Sequence, residues 1–138
     1  IERLRRFASE VAEHRDVLVS LLHHLRSRGS RVVAVSAPAK GSTLLNYCRL
    51  GPETVEYVTE KTALKIGRFT PGTHVPVVPD ERLLTDRPDF ALLLAWNFAN
   101  EIMANLSEFE AAGGRFVIPI PEPRVVERGR ELTEVHAR

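Results

Sequence analysis

The chain has little of what most often carries chemistry: among 138 residues there are one cysteine, one methionine, one tryptophan and two tyrosines. A single cysteine excludes an internal disulfide framework and a thiolate zinc cluster, and it fits a reducing compartment. An excess of one charge is lacking too. Nineteen basic against eighteen acidic residues leave a net charge of +1, so no bulk field draws the protein onto nucleic acid or an acidic membrane. No apolar run reaches the roughly 18 to 20 residues that span a bilayer, and no signal-peptide pattern opens the chain. The expected setting is cytoplasmic. The sequence opens at Ile1 inside an amphipathic pattern, with no initiator methionine, and reads as a piece of a longer polypeptide.

What is present is 43% apolar residues, enough for one core of ordinary size in a single domain. Leu4, Phe7, Val11, His14, Leu18, Leu21 and Leu25 recur at steps of three and four. They predict one long amphipathic helix over residues 2–28, closed by Gly29, whose apolar stripe packs on a sheet or on a neighbouring domain. The run Val32-Val33-Ala34-Val35 then leads through Ser36-Ala37-Pro38-Ala39-Lys40-Gly41 into Ser42-Thr43-Leu44-Leu45-Asn46-Tyr47-Cys48, which reads as strand, turn and helix. A second strand is expected over 54–60, an ordered loop over 61–73, and a short edge strand over 75–78 containing Pro76. Asp80 is placed to cap a small helix, and Asn97 to cap a single helix running to Ala112 before Gly113-Gly114. Phe90-Ala91-Leu92-Leu93-Leu94-Ala95, apolar throughout, reads as a central parallel strand, and Arg115-Phe116-Val117-Ile118-Pro119 as the last one.

Alternating strands and helices with short connections imply an α/β, Rossmann-like three-layer fold of about five parallel strands in the order 3-2-1-4-5. The expected division is a connector helix (1–29), an α/β core (30–120) and an irregular tail or short appended element (121–138). That order sets the ends of strands one and four side by side, so residues 36–42 and 95–97 line one crevice.

The turn at Lys40 is the strongest candidate site. It has neither the six-residue glycine pattern for dinucleotides nor a P-loop, which argues against a whole NAD. Lys40, Ser42 and the amides of Gly41 and Ser42, next to Ala39, are still suited to grip a diphosphate, with a solvent-exposed lysine beside a tight turn as the plain alternative. Asn46 lies one helical turn beyond Ser42, within reach of a ribose or base. Lys65 and Arg68 add charge from the loop. His74 can titrate near neutrality, although it precedes its strand and reaches the crevice only if the loop arches over it. Trp96 is suited to stack on a base or sugar, and Asn97 to hydrogen-bond a hydroxyl. Cys48 reads as an inert buried thiol, the adjacent His23 and His24 cannot face one ligand, and no metal-ligand spacing occurs.

Three ordered blocks carry a resemblance. Ala37-Pro38-Ala39-Lys40-Gly41 with Thr43-Leu44-Leu45-Asn46-Tyr47-Cys48, then residues 65–77 from Lys65-Ile66-Gly67-Arg68 to His74-Val75-Pro76-Val77, then Trp96-Asn97 with Glu101-Ile102, resemble the C-terminal domain of the S-adenosylmethionine-dependent sugar C-methyltransferases. The resemblance spans roughly residues 31–120. It implies a domain that binds a dTDP-linked keto-deoxysugar against a central methyl-donor domain, through Ala39, Lys40, Gly41, Ser42, Asn46, Arg68, His74, Trp96 and Asn97. It further implies that S-adenosylmethionine, a structural zinc and the general base belong to domains outside this sequence, so that this piece is inactive alone and holds no metal or cofactor. Two other readings stay open: a stand-alone nucleotide or cofactor sensor, and a protein-interaction domain using the first helix.

Overall fold

Two runs of buried apolar side chains, Val32–Val35 (β1) and Phe90–Leu93 (β4), pair in parallel at the centre of one sheet. Being hydrophobic on both faces, they must be covered from both sides. The computed structural model describes residues 1–132. On one flank of the central pair lie β2 (Val58–Glu60) and β3 (Val77–Pro79), on the other β5 (Arg115–Ile118), all parallel. Beyond β5 the sheet continues antiparallel through β6 (Arg124–Glu127) and β7 (Arg130–Leu132), giving the order β3-β2-β1-β4-β5-β6-β7.

The sheet therefore has seven strands rather than about five. The two additional strands arise in the segment expected to be an irregular tail or a short appended element, and they form such an element. They close a two-residue hairpin with Arg128 and Gly129 both at positive φ (51° and 72°), and Glu110 accepts the Arg128 amide at 2.8 Å. Residues 133–138 of that tail lie outside the described residues.

Helices α1 (Glu2–Ser27) and α2 (Ala39–Tyr47) cover one face, where Leu18, Leu22, Leu25, Leu44 and Leu45 meet Val32, Ala34 and Leu92. Helices α3 (Arg82–Asp86), α4 (Ala99–Asn105) and α5 (Ser107–Ala111) cover the other, where Leu83, Ala99 and Phe109 meet Val33, Val35, Leu93 and Phe116. The stripe of α1 is engaged only in its second half. Leu18, Leu22 and Leu25 are buried and His14 Nε2 donates to the Pro119 carbonyl at 2.5 Å, whereas Leu4 and Phe7 are 72% and 65% exposed. Cys48 is buried, and its burial pushes the thiol pKa up, as suits an inert core thiol.

Two predicted caps differ. No side-chain capping bond opens α3, and in place of one helix over 97–112 there is a 3₁₀ turn, Trp96–Phe98, followed by α4 and α5 with a break at Leu106. The break lets Phe109 drop into the core edge-on to Phe116, at 5.5 Å between ring centroids. Gly114 makes room for that ring, since a Cβ there would lie 2.3 Å from it.

Candidate functional site

The parallel order puts the ends of β1, β2 and β4 on one edge, and there the sequence-predicted residues separate into two groups. Lys40, Trp96 and Asn97 come together. The Lys40 ammonium donates to Asn97 Oδ1 and sits 4.6 Å from the centroid of the Trp96 ring. Trp96 touches both core clusters, so this contact stands astride the sheet between its two faces.

On the α2 face a cavity of about 370 Å³ collects Ala39, Ser42 and Arg68 with Lys65, Phe69 and Thr70. The loop after β2 does arch over the turn. Asn46 Nδ2 donates at 2.9 Å to both the Ser42 and the Pro71 carbonyls, and Lys65 Nζ donates to the Ala37 carbonyl at 3.0 Å. Asn46 thus secures the loop to α2, and Gly72, bare at φ 81°, leaves room for it. Arg68 has no hydrogen-bond or ion-pair partner for its guanidinium among the described residues. His74, at φ 59°, stacks face to face on Phe69 with centroids 4.1 Å apart and is exposed; it is brought near the cavity through Phe69 rather than into its lining.

The amide cradle expected at Gly41 and Ser42 is corrected. Both amides return to the Pro38 carbonyl, at 3.0 and 3.2 Å, as they must once the helix starts at Ala39. The amides left open by that geometry are those of Ala39 and Lys40, in the first turn. Gly41 has a different role: a Cβ there would lie 2.8 Å from Leu94 Cβ, so the missing side chain is what lets α2 approach the sheet.

One residue that the sequence reading overlooked organises the turn. Glu60, ending β2, accepts the Ala37 amide at 3.0 Å and the Lys61 and Thr62 amides at 2.9 and 3.2 Å, and it lies 3.7 Å from Lys65 Nζ. Burial raises its pKa, but the three amides and Lys65 outweigh that and hold the carboxylate below its usual range. An acidic residue closing the second strand of a parallel sheet was the available signal.

A second cavity, of about 390 Å³, opens on the α4 face and includes Glu60, Asp80, Glu101 and Asn105. Asp80 is pushed above the usual carboxylate range by burial. Among the described residues no group of three or more His, Cys, Asp or Glu side chains could hold a metal ion, and no helix is long and apolar enough to cross a membrane. Cations and open amides meet in the α2-face cavity, and binding an anion is the chemistry they offer.

The chain is similar to C-methyltransferase NovU of Streptomyces niveus, 41% identical over 122 residues that make up 88% of this chain and 29% of that protein. It thus spans under a third of that relative's length. Residues 1–121 match the C-methyltransferase C-terminal domain, a stretch that takes in the Lys40 turn, the arching loop and Trp96-Asn97. By that match the chain belongs to the family of C-methyltransferase C-terminal domains.

Proposed function

We propose that this domain binds the nucleotide-linked sugar on which an S-adenosylmethionine-dependent C-methyltransferase acts, a dTDP-linked keto-deoxysugar, with the diphosphate in the α2-face cavity. The observation that carries the reading is Arg68, a cation with no partner among the described residues, facing Lys65, Ser42 and the first turn of α2 across about 370 Å³. Ligands of parallel α/β sheets lie at the carboxyl ends of the strands, and the order β3-β2-β1-β4-β5 supports a Rossmann-like reading of this part of the sheet.

The reaction in view removes a proton from the carbon beside a ketone and adds a methyl group there. S-adenosylmethionine supplies that methyl. We assign the methyl-donor site, the general base and a structural zinc to other parts of the polypeptide, so this domain anchors and orients and does not react by itself. Residues 1–29 then act as a connector, whose exposed Leu4 and Phe7 meet the adjoining domain, and residues 30–120 form the binding core of a cytoplasmic enzyme.

Titration calorimetry with thymidine diphosphate tests the reading. The double variant Lys65→Ala/Arg68→Ala is expected to bind at least about tenfold more weakly, the loss of one or two charge-assisted bonds. Unchanged affinity would overturn the assignment. Tight binding of an adenine nucleotide with no response to thymidine diphosphate would favour a nucleotide sensor instead.

A further inference from the structure

We propose, resting on the reading of the ligand as a sugar nucleotide, that the α4-face cavity is a separate subsite for an uncharged ring bearing hydroxyl groups and that it excludes phosphate. Its walls differ in kind from those of the α2-face cavity. Val35, Ile102 and Leu106 give it an apolar floor, and Phe98, 56% exposed, stands at its rim. The C–H face of a sugar ring packs on such a surface. The polar groups above the floor are Ser36, Asp80, Glu101 and Asn105, and among the described residues the side chains of Ser36, Glu101 and Asn105 have no hydrogen-bond partner.

Charge decides which ligand fits. Three carboxylates line the cavity against one ammonium, that of Lys61, so a phosphate entering here meets repulsion from Asp80 and Glu101. A strongly cationic ligand is not favoured either. Glu60 is already consumed by three backbone amides and Lys65, and Lys61 offsets a further negative charge. Burial, reinforced by the like charges of Glu60 and Glu81, pushes the Asp80 carboxyl up against the opposing Thr59 hydroxyl and Lys61. What remains is a set of acceptors with an amide and a hydroxyl, the complement of ring hydroxyls. The turn after β1 lines both cavities, with Val35 and Ser36 in this one and Ala37 and Ala39 in the α2-face one, so the two flank the same stretch of chain.

The chemistry has two sources, the hexose and the nucleoside ring, and amide chemical-shift titrations of the 138-residue chain separate them. A methyl hexopyranoside and thymidine are used as phosphate-free probes, and pyrophosphate as the phosphate probe. At least one phosphate-free probe is expected to move the amides of Lys61, Glu101 and Asn105 and leave residues 65–70 in place, and whichever does so names the source. Glu101→Ala/Asn105→Ala, at two exposed positions, should weaken that response at least about fivefold with the spectrum otherwise native. The inference is overturned if neither probe moves those amides, if pyrophosphate moves them, or if the double variant responds as the native chain does. Failure of pyrophosphate to move residues 65–70 bears on the diphosphate site alone.

Discussion

The carboxylate of Glu60 accepts the amide of Ala37 at 3.0 Å, tying the end of β2 to the turn that leaves β1. In a turn suited to receive an anion, the protein supplies one of its own. On the proposed reading, an incoming phosphate would meet Lys65, Arg68 and the start of α2 rather than the Ala37 amide. Binding and stability are linked through one side chain, because Lys65 lies between the Glu60 carboxylate and the cavity.

Glu60→Gln is accordingly expected to destabilise the fold by about 1–3 kcal/mol, since a neutral amide replaces a carboxylate that accepts three backbone amides. The sign with pH follows from the depressed pKa. The stabilisation is present in full above the unfolded glutamate value of about 4.3 and is lost as pH falls through the lower folded value. Urea midpoints across that range should show the native advantage shrinking in acid. An advantage that does not vary with pH would mean that the charge of Glu60 is not what holds the turn.

Lys40 and Trp96 give an optical test. Trp96 is the only tryptophan, and the ammonium covers its ring. Lys40→Ala uncovers that face, so emission should move to longer wavelength with little change in stability. If Lys40 leaves the indole to meet the ligand, thymidine diphosphate should produce the same shift in the native chain and none in the variant. Identical emission from the two unliganded chains would remove the contact.

Much of this arrangement was legible in the sequence. The strand, turn and helix at 32–47 and the central run at 90–93 are written in local patterns of apolar and small residues, and the order of the first five strands follows from chain connectivity. The β6–β7 hairpin was not legible, because its turn puts Arg128, a non-glycine residue, at positive φ within a polar run. The break at Leu106 was hidden because apolar spacing continues across it, and only the seat of Phe109 beside Gly114 reveals it. At the site, Lys40, Ser42 and Arg68 were visible as residue types. Glu60 was signalled only by its place as an acidic residue closing the second strand, since its partner Ala37 lies on a different strand's turn, and Gly41 stood out for an amide that the helix start itself uses.

Gly41→Ala distinguishes the two reasons. Alanine keeps the amide, so a role in anion binding through that amide would leave stability untouched. The close approach to Leu94 predicts otherwise: a Cβ at 2.8 Å from backbone-proximal carbon must push α2 off the sheet. Overpacking of this kind costs about 1–3 kcal/mol, read as a lowered thermal midpoint. An unchanged midpoint would show that α2 can shift freely at its first turn.

The opposite edge of the sheet supplies a control that separates folding from binding. Arg31 donates at 2.7 Å to both Asp86 and Glu56, and the Tyr57 hydroxyl donates to Asp86 at 2.8 Å, all at the amino ends of the strands. Arg31 first, and then Tyr57, hold the Asp86 carboxyl below its usual range against its burial. Its contribution is therefore present above the unfolded aspartate value of about 3.9 and lost as pH falls through the folded one. Asp86→Asn should cost about 1–2 kcal/mol near neutral pH, with the lower figure reflecting its partial exposure, and the difference should close in acid. Because the cluster lies at the far edge from both cavities, thymidine diphosphate affinity should be unchanged in the folded variant. A loss of affinity there would mean that the ligand reads the rigidity of the whole sheet and not the Lys65 and Arg68 pair alone.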